Sequence, residues 1–302
     1  MGSIRSRALS AAKRPVARKA ARRAPGRCGI GLLVAGLALA GVARAEQPQA
    51  TRSQDRAGPS RRLAALYPQD GRRDLTGGDF DRFRGAGILW CRSRDGVPQK
   101  AAAAWLIGDP STVVLNAHNF RDRRLAVTRS VADCYFQIGG RNYDFEPDSL
   151  VLGTAPGADG LHITDDWAIL RLTRPAEAVP QPLPDPPDLP IGDIALPVTM
   201  VSPAGHGNYR GPNSLERCAI RRIDQPSEDA IRRARHDCND GYGGSGSGLF
   251  DEAGRLIALQ SASLAMNSRS RFDIEFHYGS ALLFEGGLLA ALRGRAEAGG
   301  RR

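Results

Sequence analysis

From Gly87 onward, short apolar or alternating runs recur between Gly, Pro, Asp and Asn residues, without amphipathic stretches of helical length. Ile88 to Cys91, Ala103 to Ile107, Thr112 to Leu115, Cys134 to Ile138 and Ala168 to Leu172 make one group of strand-length runs. Ala195 to Val201, Arg217 to Ile220, Leu256 to Leu259 and Phe272 to Phe276 make a second. Many short strands punctuated by turn residues predict an all-β barrel or sandwich. Between the groups, prolines 180, 182, 184, 186, 187 and 190 crowd into one stretch. Proline lacks the amide hydrogen that a central ladder needs, so residues 180–190 read as an extended connector. Leu282 to Leu292 carries apolar residues at roughly helical spacing despite Gly286 and Gly287, which predicts one short C-terminal helix.

Charge has to be placed before it is interpreted. The 302 residues hold 42 Lys and Arg against 32 Asp and Glu. Ten of the basic residues fall in the first 45 positions, which contain no acid, so the rest of the chain is balanced at 32 against 32. The formal +10 would suit a nucleic-acid or anionic-membrane partner, but the balanced remainder offers no such general field, and no nucleic-acid partner is expected. Residues 1–45 read instead as an export signal: basic residues, an apolar run from Ile30 to Ala40, then the small-x-small site Ala43-Arg44-Ala45. The run is shorter than the roughly 20 residues that cross a bilayer, so cleavage near Ala45 is expected rather than a stable membrane anchor. The product would be secreted or periplasmic. The polar stretch that follows, residues 46–79, reads as a disordered leader or a propeptide, and Arg61-Arg62 and Arg72-Arg73 could serve as processing points.

Removal of the signal takes Cys28 with it and leaves an even set: Cys91, Cys134, Cys218 and Cys238. In an oxidising compartment that means two disulfides, and four cysteines allow three pairings. None occurs as CxxC, so no zinc site is expected, and neither a metal nor an organic cofactor is implied.

Three short stretches carry the chemistry. Val113-Val114-Leu115-Asn116-Ala117-His118 runs an apolar strand into a histidine. Asp165-Asp166-Trp167-Ala168-Ile169-Leu170 opens an apolar strand on two acids. Gly243-Gly244-Ser245-Gly246-Ser247-Gly248 embeds serine among glycines. Singly, each has a bland reading: a structural histidine, a cap, a flexible loop. Their order and intervals, 166 minus 118 giving 48 and 245 minus 166 giving 79, are harder to dismiss. Together they resemble the chymotrypsin-like, or trypsin-like, serine peptidase family, especially the bacterial secreted branch that includes the glutamyl endopeptidases. The family's Thr-Ala-Ala-His, Asp-x-Ala-Leu-Leu and Gly-x-Ser-Gly-Gly-Pro motifs fall on these stretches, and the resemblance spans roughly Gly87 to Leu292.

That resemblance implies two packed six-stranded antiparallel β-barrels with the short helix at the end. Residues 80–179 would form the first barrel, residues 180–190 the connector and residues 191–302 the second barrel and helix. It implies a serine endopeptidase acting on protein or peptide substrates. Ser245 would be the nucleophile, His118 the base that activates it, and Asp166 the residue that orients the imidazole. Backbone N–H groups of Gly243 and Ser245 would stabilise the oxyanion. Asp166 rather than Asp165 immediately precedes the x-Ala-Ile-Leu segment, and a shift of one residue would face the opposite side of an extended chain. Cys218 would pair with Cys238, bracing the nucleophile loop, and Cys91 with Cys134.

By family position the substrate pocket takes in Asn239 and Asp240 and the strand Ser261-Ala262-Ser263, which could pair with substrate backbone. Asn239 is neutral where trypsin itself carries an acid, Asp240 reads as an exposed turn carboxylate, and Gln260 falls near the histidine that glutamyl endopeptidases use. Neither basic nor acidic specificity therefore follows. Other departures are Leu115-Asn116 in place of Thr-Ala, Gly248 in place of proline, and Gly244 immediately before the nucleophile. In the digestive and clotting branch an aspartate at that last position receives the new amino terminus, and glycine has no carboxylate to do so. The altered flanks leave a second reading, an inactive homologue that binds peptides in the same cleft.

Overall fold

A computed structural model describes residues 65–241, 243–265 and 270–299. The expected signal at residues 1–45 and the first part of the 46–79 stretch lie outside them. A short helix α1 (Gly77–Arg82) precedes seven strands: β1 (Ala86–Arg92), β2 (Pro98–Leu106), β3 (Thr112–Leu115), β4 (Cys134–Ile138), β5 (Arg141–Asp144), β6 (Val151–Leu152) and β7 (Ala168–Arg171). Six more follow the proline-rich connector: β8 (Gly192–Ser202), β9 (Ser214–Ile223), β10 (Arg233–His236), β11 (Gly248–Phe250), β12 (Leu256–Ala265) and β13 (His277–Leu283). The helix α2 (Gly286–Gly299) closes the chain.

The architecture is the chymotrypsin-like one. The second group of strands closes into a six-stranded antiparallel barrel in the order β10-β13-β12-β11-β8-β9. The first group makes a seven-stranded sheet in the order β5-β4-β1-β2-β3-β7-β6, curled into a half-barrel rather than closed. Its two sides are joined by a short bridge, where Glu146 N–H donates to the Arg171 carbonyl at 2.8 Å and Thr173 N–H to the Asp144 carbonyl at 2.9 Å.

Strands apolar on both faces hold the two sheets together, and period-two geometry sorts their side chains. Val113 and Leu115 point into the core of the first sheet, whereas Val114 between them packs in the interface with Trp105, Ile169 and Phe250. On the other side, Leu283 fills the second barrel while Leu282 faces the interface. Trp105 and Phe250 are fully buried with ring centroids 5.2 Å apart. Burial of each side chain of this size contributes about 1.5–3 kcal/mol. Leu288 and Leu292 of α2 seal the same layer.

Both disulfides are present. Cys91–Cys134 joins residues directly opposite on β1 and β4, and Cys218–Cys238 ties β9 to the segment after β10.

Two expectations are corrected. Residues 65–79 are not a disordered leader. Ala65, Tyr67 and Leu75 are buried, and Arg73 exchanges both backbone hydrogen bonds with Leu215 of β9. Phe272 to Phe276 is not a strand, because Asp273 accepts the amides of Glu275 and Phe276 in a turn and the strand begins at His277. Side-chain capping of this kind competes with strand pairing.

Candidate active site

Strand β3 delivers His118 at its end, where residues 117–119 make one turn of 3-10 helix. The acid arrives from the first sheet as well: residues 163–165 form another 3-10 turn, and Asp166 stands between it and β7. Asn116, the residue that departs from the family's small side chain, donates its Nδ2 to the Asp166 carbonyl at 2.9 Å. The His118 amide donates to Asp166 Oδ1 at 2.8 Å, and ring Nδ1 lies 2.7 Å from Oδ2. Ring Nε2 lies 2.8 Å from Ser245 Oγ. With its proton on Nδ1, the imidazole donates to the buried carboxylate and accepts from the serine hydroxyl. Asp165 is held apart, its carboxylate accepting from Thr164 Oγ1 at 3.2 Å.

A tight turn between the two barrels presents Ser245. The backbone of Gly246 adopts φ 79°, and a Cβ there would lie 2.0 Å from the Ala103 carbonyl, so β2 approaches the turn too closely for any side chain. Ala103 N–H donates to the Ser245 carbonyl at 3.0 Å, and Trp105 Nε1 to the Gly246 carbonyl at 2.8 Å. Ser247 clamps the Gly244 carbonyl with its amide at 3.0 Å and its hydroxyl at 2.6 Å. Because a trans peptide sets C=O and N–H on opposite sides, that clamp turns the Ser245 N–H away from Ser247. Gly243 has φ 93°, a conformation that glycine adopts without strain. Behind Gly244 the space is taken: a Cβ would lie 2.5 Å from His206 Nε2 and 2.3 Å from the Asp240 carbonyl. His206 is buried, and its Nδ1 pairs with Ser214 Oγ at 2.7 Å.

Burial disfavours the imidazolium of His118, but the charge and hydrogen bond of Asp166 more than offset it, and the pKa is raised above the ordinary 6.5; Arg129 opposes the rise. All three side chains meet in a cleft of about 660 Å³. A larger, mainly apolar cleft of about 900 Å³ lies elsewhere, among Phe80, Trp90 and Val179, and contains no nucleophile–base pair.

A model of the trypsin-like peptidase domain matches residues 102–259, more than half of the chain and inclusive of all three side chains. The chain belongs to the trypsin-like peptidase family. No curated protein matches it. Among solved structures, a Glu endopeptidase in complex with MPD is 10% identical with a TM-score of 0.51, covering 77% of this chain and 99% of that one. A thermostable serine protease from an extremophilic microorganism is 16% identical with a TM-score of 0.44, over 69% and 94% of the two chains. A protease from M. tuberculosis in its active form is 16% identical with a TM-score of 0.42, over 71% and 82%.

In this trypsin-like peptidase the expected pocket residues divide. Ser261, Ala262 and Ser263 line the cleft. Ser261 falls at an irregularity in the β12–β13 register, between Gln260 opposite Ala281 and Ala262 opposite Ser280. Such bulges re-aim a side chain, and here the Ser261 hydroxyl donates to Asp166 Oδ2. Asn239 is turned away from the cleft: its Oδ1 accepts from Tyr67 N at 2.7 Å and its Nδ2 donates to Gln69 and Glu216.

Asp240 corrects the expectation of an exposed turn carboxylate, being only 1% exposed. It accepts from Ala65 N at 3.0 Å, from Gln260 Nε2 at 2.6 Å and from Ser263 Oγ. Burial pushes its pKa up to about 8 against those donors. Asn116, His206, Gln260 and Arg129 were not singled out as site residues. Two of them left a trace in the sequence: Asn116 as a polar residue where the motif has a small one, and Gln260 by falling near the histidine that glutamyl endopeptidases use.

Proposed function

We propose that this chain is an exported serine endopeptidase that cuts peptide bonds through an acyl-enzyme on Ser245. The observation that carries the reading is the unbroken line from Asp166 Oδ2 through both nitrogens of His118 to Ser245 Oγ, with links of 2.7 and 2.8 Å. A serine hydroxyl is a weak nucleophile until a base takes its proton during attack. In the proposed reaction His118 Nε2 takes that proton as Oγ bonds to the scissile carbonyl carbon. Negative charge collects on the former carbonyl oxygen, facing the N–H groups of Gly243 and Ser245. Collapse breaks the carbon–nitrogen bond while His118 returns the proton to the departing amine. Water then attacks the ester, passing one proton to His118, and the serine leaves with that proton. Throughout, Asp166 keeps the ring in the productive tautomer and stabilises its charged form.

Substrate backbone has a ready place. Strand β11 pairs with β12 only at Leu256 to Leu259, so the edge at Ser261 to Ser263 is available for an added strand. Export is supported by the basic-apolar-small pattern of residues 1–45 and by the two disulfides. Among the described residues no helix is long and apolar enough to cross a membrane.

The test is labelling of the purified chain by an organophosphate or sulfonyl fluoride, together with digestion of a peptide library. Labelling and cleavage are expected to disappear in Ser245→Ala. A folded chain that neither labels nor cleaves, yet binds peptides, would establish the inactive-homologue reading in its place.

A further inference from the structure

We infer that the cleft prefers peptides with acidic residues just beyond the scissile bond, recognised by Lys100 and by a basic hairpin that follows His118. This rests on the peptidase reading above.

The hairpin spans residues 121–130 and carries Arg121, Arg123, Arg124 and Arg129 against one acid, Asp122. That acid is used internally: Asp122 Oδ1 accepts the amides of Arg124 at 2.8 Å and Ala126 at 2.9 Å. Backbone bonds between Asp122 and Ala126, and between Thr128 and Phe120, complete the turn. The guanidinium groups contribute little to it. Arg121 and Arg129 each reach one backbone carbonyl, of Phe120 and Asn119. Among the described residues no ion pair involves any of the four arginines or Lys100. On the second barrel, by contrast, Arg221, Arg222, Arg232, Arg233 and Arg235 each meet a carboxylate.

Three of these cations that lack a carboxylate partner, Lys100, Arg123 and Arg129, line the same cleft as His118 and Ser245, and the Lys100 ammonium is held there by the carbonyls of Pro212 at 2.9 Å and Ala204 at 3.4 Å. The one carboxylate lining it, among the described residues, is Asp166, already engaged by His118 and Ser261. Since the chain beyond residue 45 is charge-balanced, this positive field is local to the cleft. Direction follows from the chemistry. The acyl half of a substrate runs along the β12 edge, where Ser261, Ala262 and Ser263 are uncharged. His118 hands its proton to the other half, so the cations of β2 and of the hairpin after His118 meet the leaving segment. A single exposed charge pair about 6 Å apart favours binding roughly threefold, and two such pairs give about tenfold.

The experiment uses three peptides with a common central sequence: one with two glutamates on the leaving side, one with them on the acyl side, and one with glutamines throughout. kcat/KM is measured with the full chain, and Kd with Ser245→Ala, so that binding is read even where turnover is absent. The leaving-side glutamates are expected to improve both by about tenfold over glutamine. That advantage should vanish in 1 M salt, where the Debye length is about 3 Å. In Arg123→Ser/Arg129→Ser the ratio should fall towards one, while unchanged thermal unfolding shows the hairpin intact. Equal values for the leaving-side and glutamine peptides, a stronger effect from the acyl-side placement, or a preference that survives high salt would overturn the inference. Absence of both turnover and Ser245 labelling, with the acidic preference in Kd retained, would instead count against the peptidase reading alone.

Discussion

Asp166 receives three donors: the amide of His118, the ring of His118 and the hydroxyl of Ser261. Two of them hold the carboxylate in place for the third. Hydrogen bonds to charged groups contribute about 1.5–3 kcal/mol of stability, so Ser261→Ala is expected to lower the melting temperature and, by loosening the carboxylate, to lower kcat/KM by about tenfold. Steady-state kinetics and thermal unfolding of the same preparation check it; a variant as active as the parent would show that the bulge on β12 has no bearing on catalysis. The same carboxylate sets the pH profile. In the proposed reaction His118 must be neutral to act as a base, and Asp166 raises its pKa. The acidic limb of kcat/KM should therefore sit above pH 6.5. In Asp166→Asn, burial is left unopposed, and whatever residual activity remains should titrate below that point.

Secondary structure elements were legible where a local pattern forces them and hidden where distant partners do. Short apolar or alternating runs marked β1, β3, β4, β7 and most of the second barrel, because a strand between two cores must be apolar in its own sequence. Residues 65–75 carry no such pattern. They are fixed by partners in the second barrel: Ala65 on Asp240, Tyr67 on Asn239, Arg73 on Leu215 and Leu75 on Asn213. A polar segment ordered in this way resembles a flexible one in composition. Asp240 was misread for the same reason, since Asp-Gly is a common turn pair and nothing local signals that another segment covers it. His118, Asp166 and Ser245 could be singled out because each sits in a motif at a strand end or a glycine turn, whereas His206 sits in none.

This strap predicts an effect at a distance. Tyr67 is buried, with its ring edge-on to His277 at 5.1 Å. Tyr67→Ala should cost about 3–5 kcal/mol of stability, as large aromatic truncations do. It should also loosen Asn239 and Asp240, six and five residues before Ser245, and so reduce kcat at temperatures where the chain is still folded. A fall in melting temperature without any change in kcat would separate the strap from the active loop.

Stability of the whole molecule against pH can be derived from its buried titratable groups, provided each sign is worked through. Burial lowers the pKa of His206 to about 3 and of His236 to about 4. Between those values and the ordinary 6.5, the unfolded chain binds more protons than the folded one, so stability rises with pH and this contribution is complete above about 6.5. Asp240 has the opposite sign. Burial raises it from 3.8 to about 8, so across that window the folded chain holds the extra proton and stability falls as pH rises. His118, raised above 6.5, acts in the same direction as Asp240 just above neutrality, and buried Tyr67, whose pKa burial also raises, does so above pH 10. Below 6.5 the two histidines act against Asp240, which is joined there by Glu216 and Asp165, whose pKa values burial also raises; above it Asp240 and His118 act unopposed. Each uncompensated proton changes stability by about 1.4 kcal/mol per pH unit. The melting temperature is therefore expected to fall from about pH 7 upward, with the histidines supporting it against the carboxyls on the acidic side. Asp240→Asn should flatten the alkaline side, and His236→Gln the acidic side. Thermal unfolding from pH 5 to 9 measures all three, and a melting temperature that kept rising from pH 7 to 9 in the parent chain would mean that Asp240 is ionised in the folded state despite its burial.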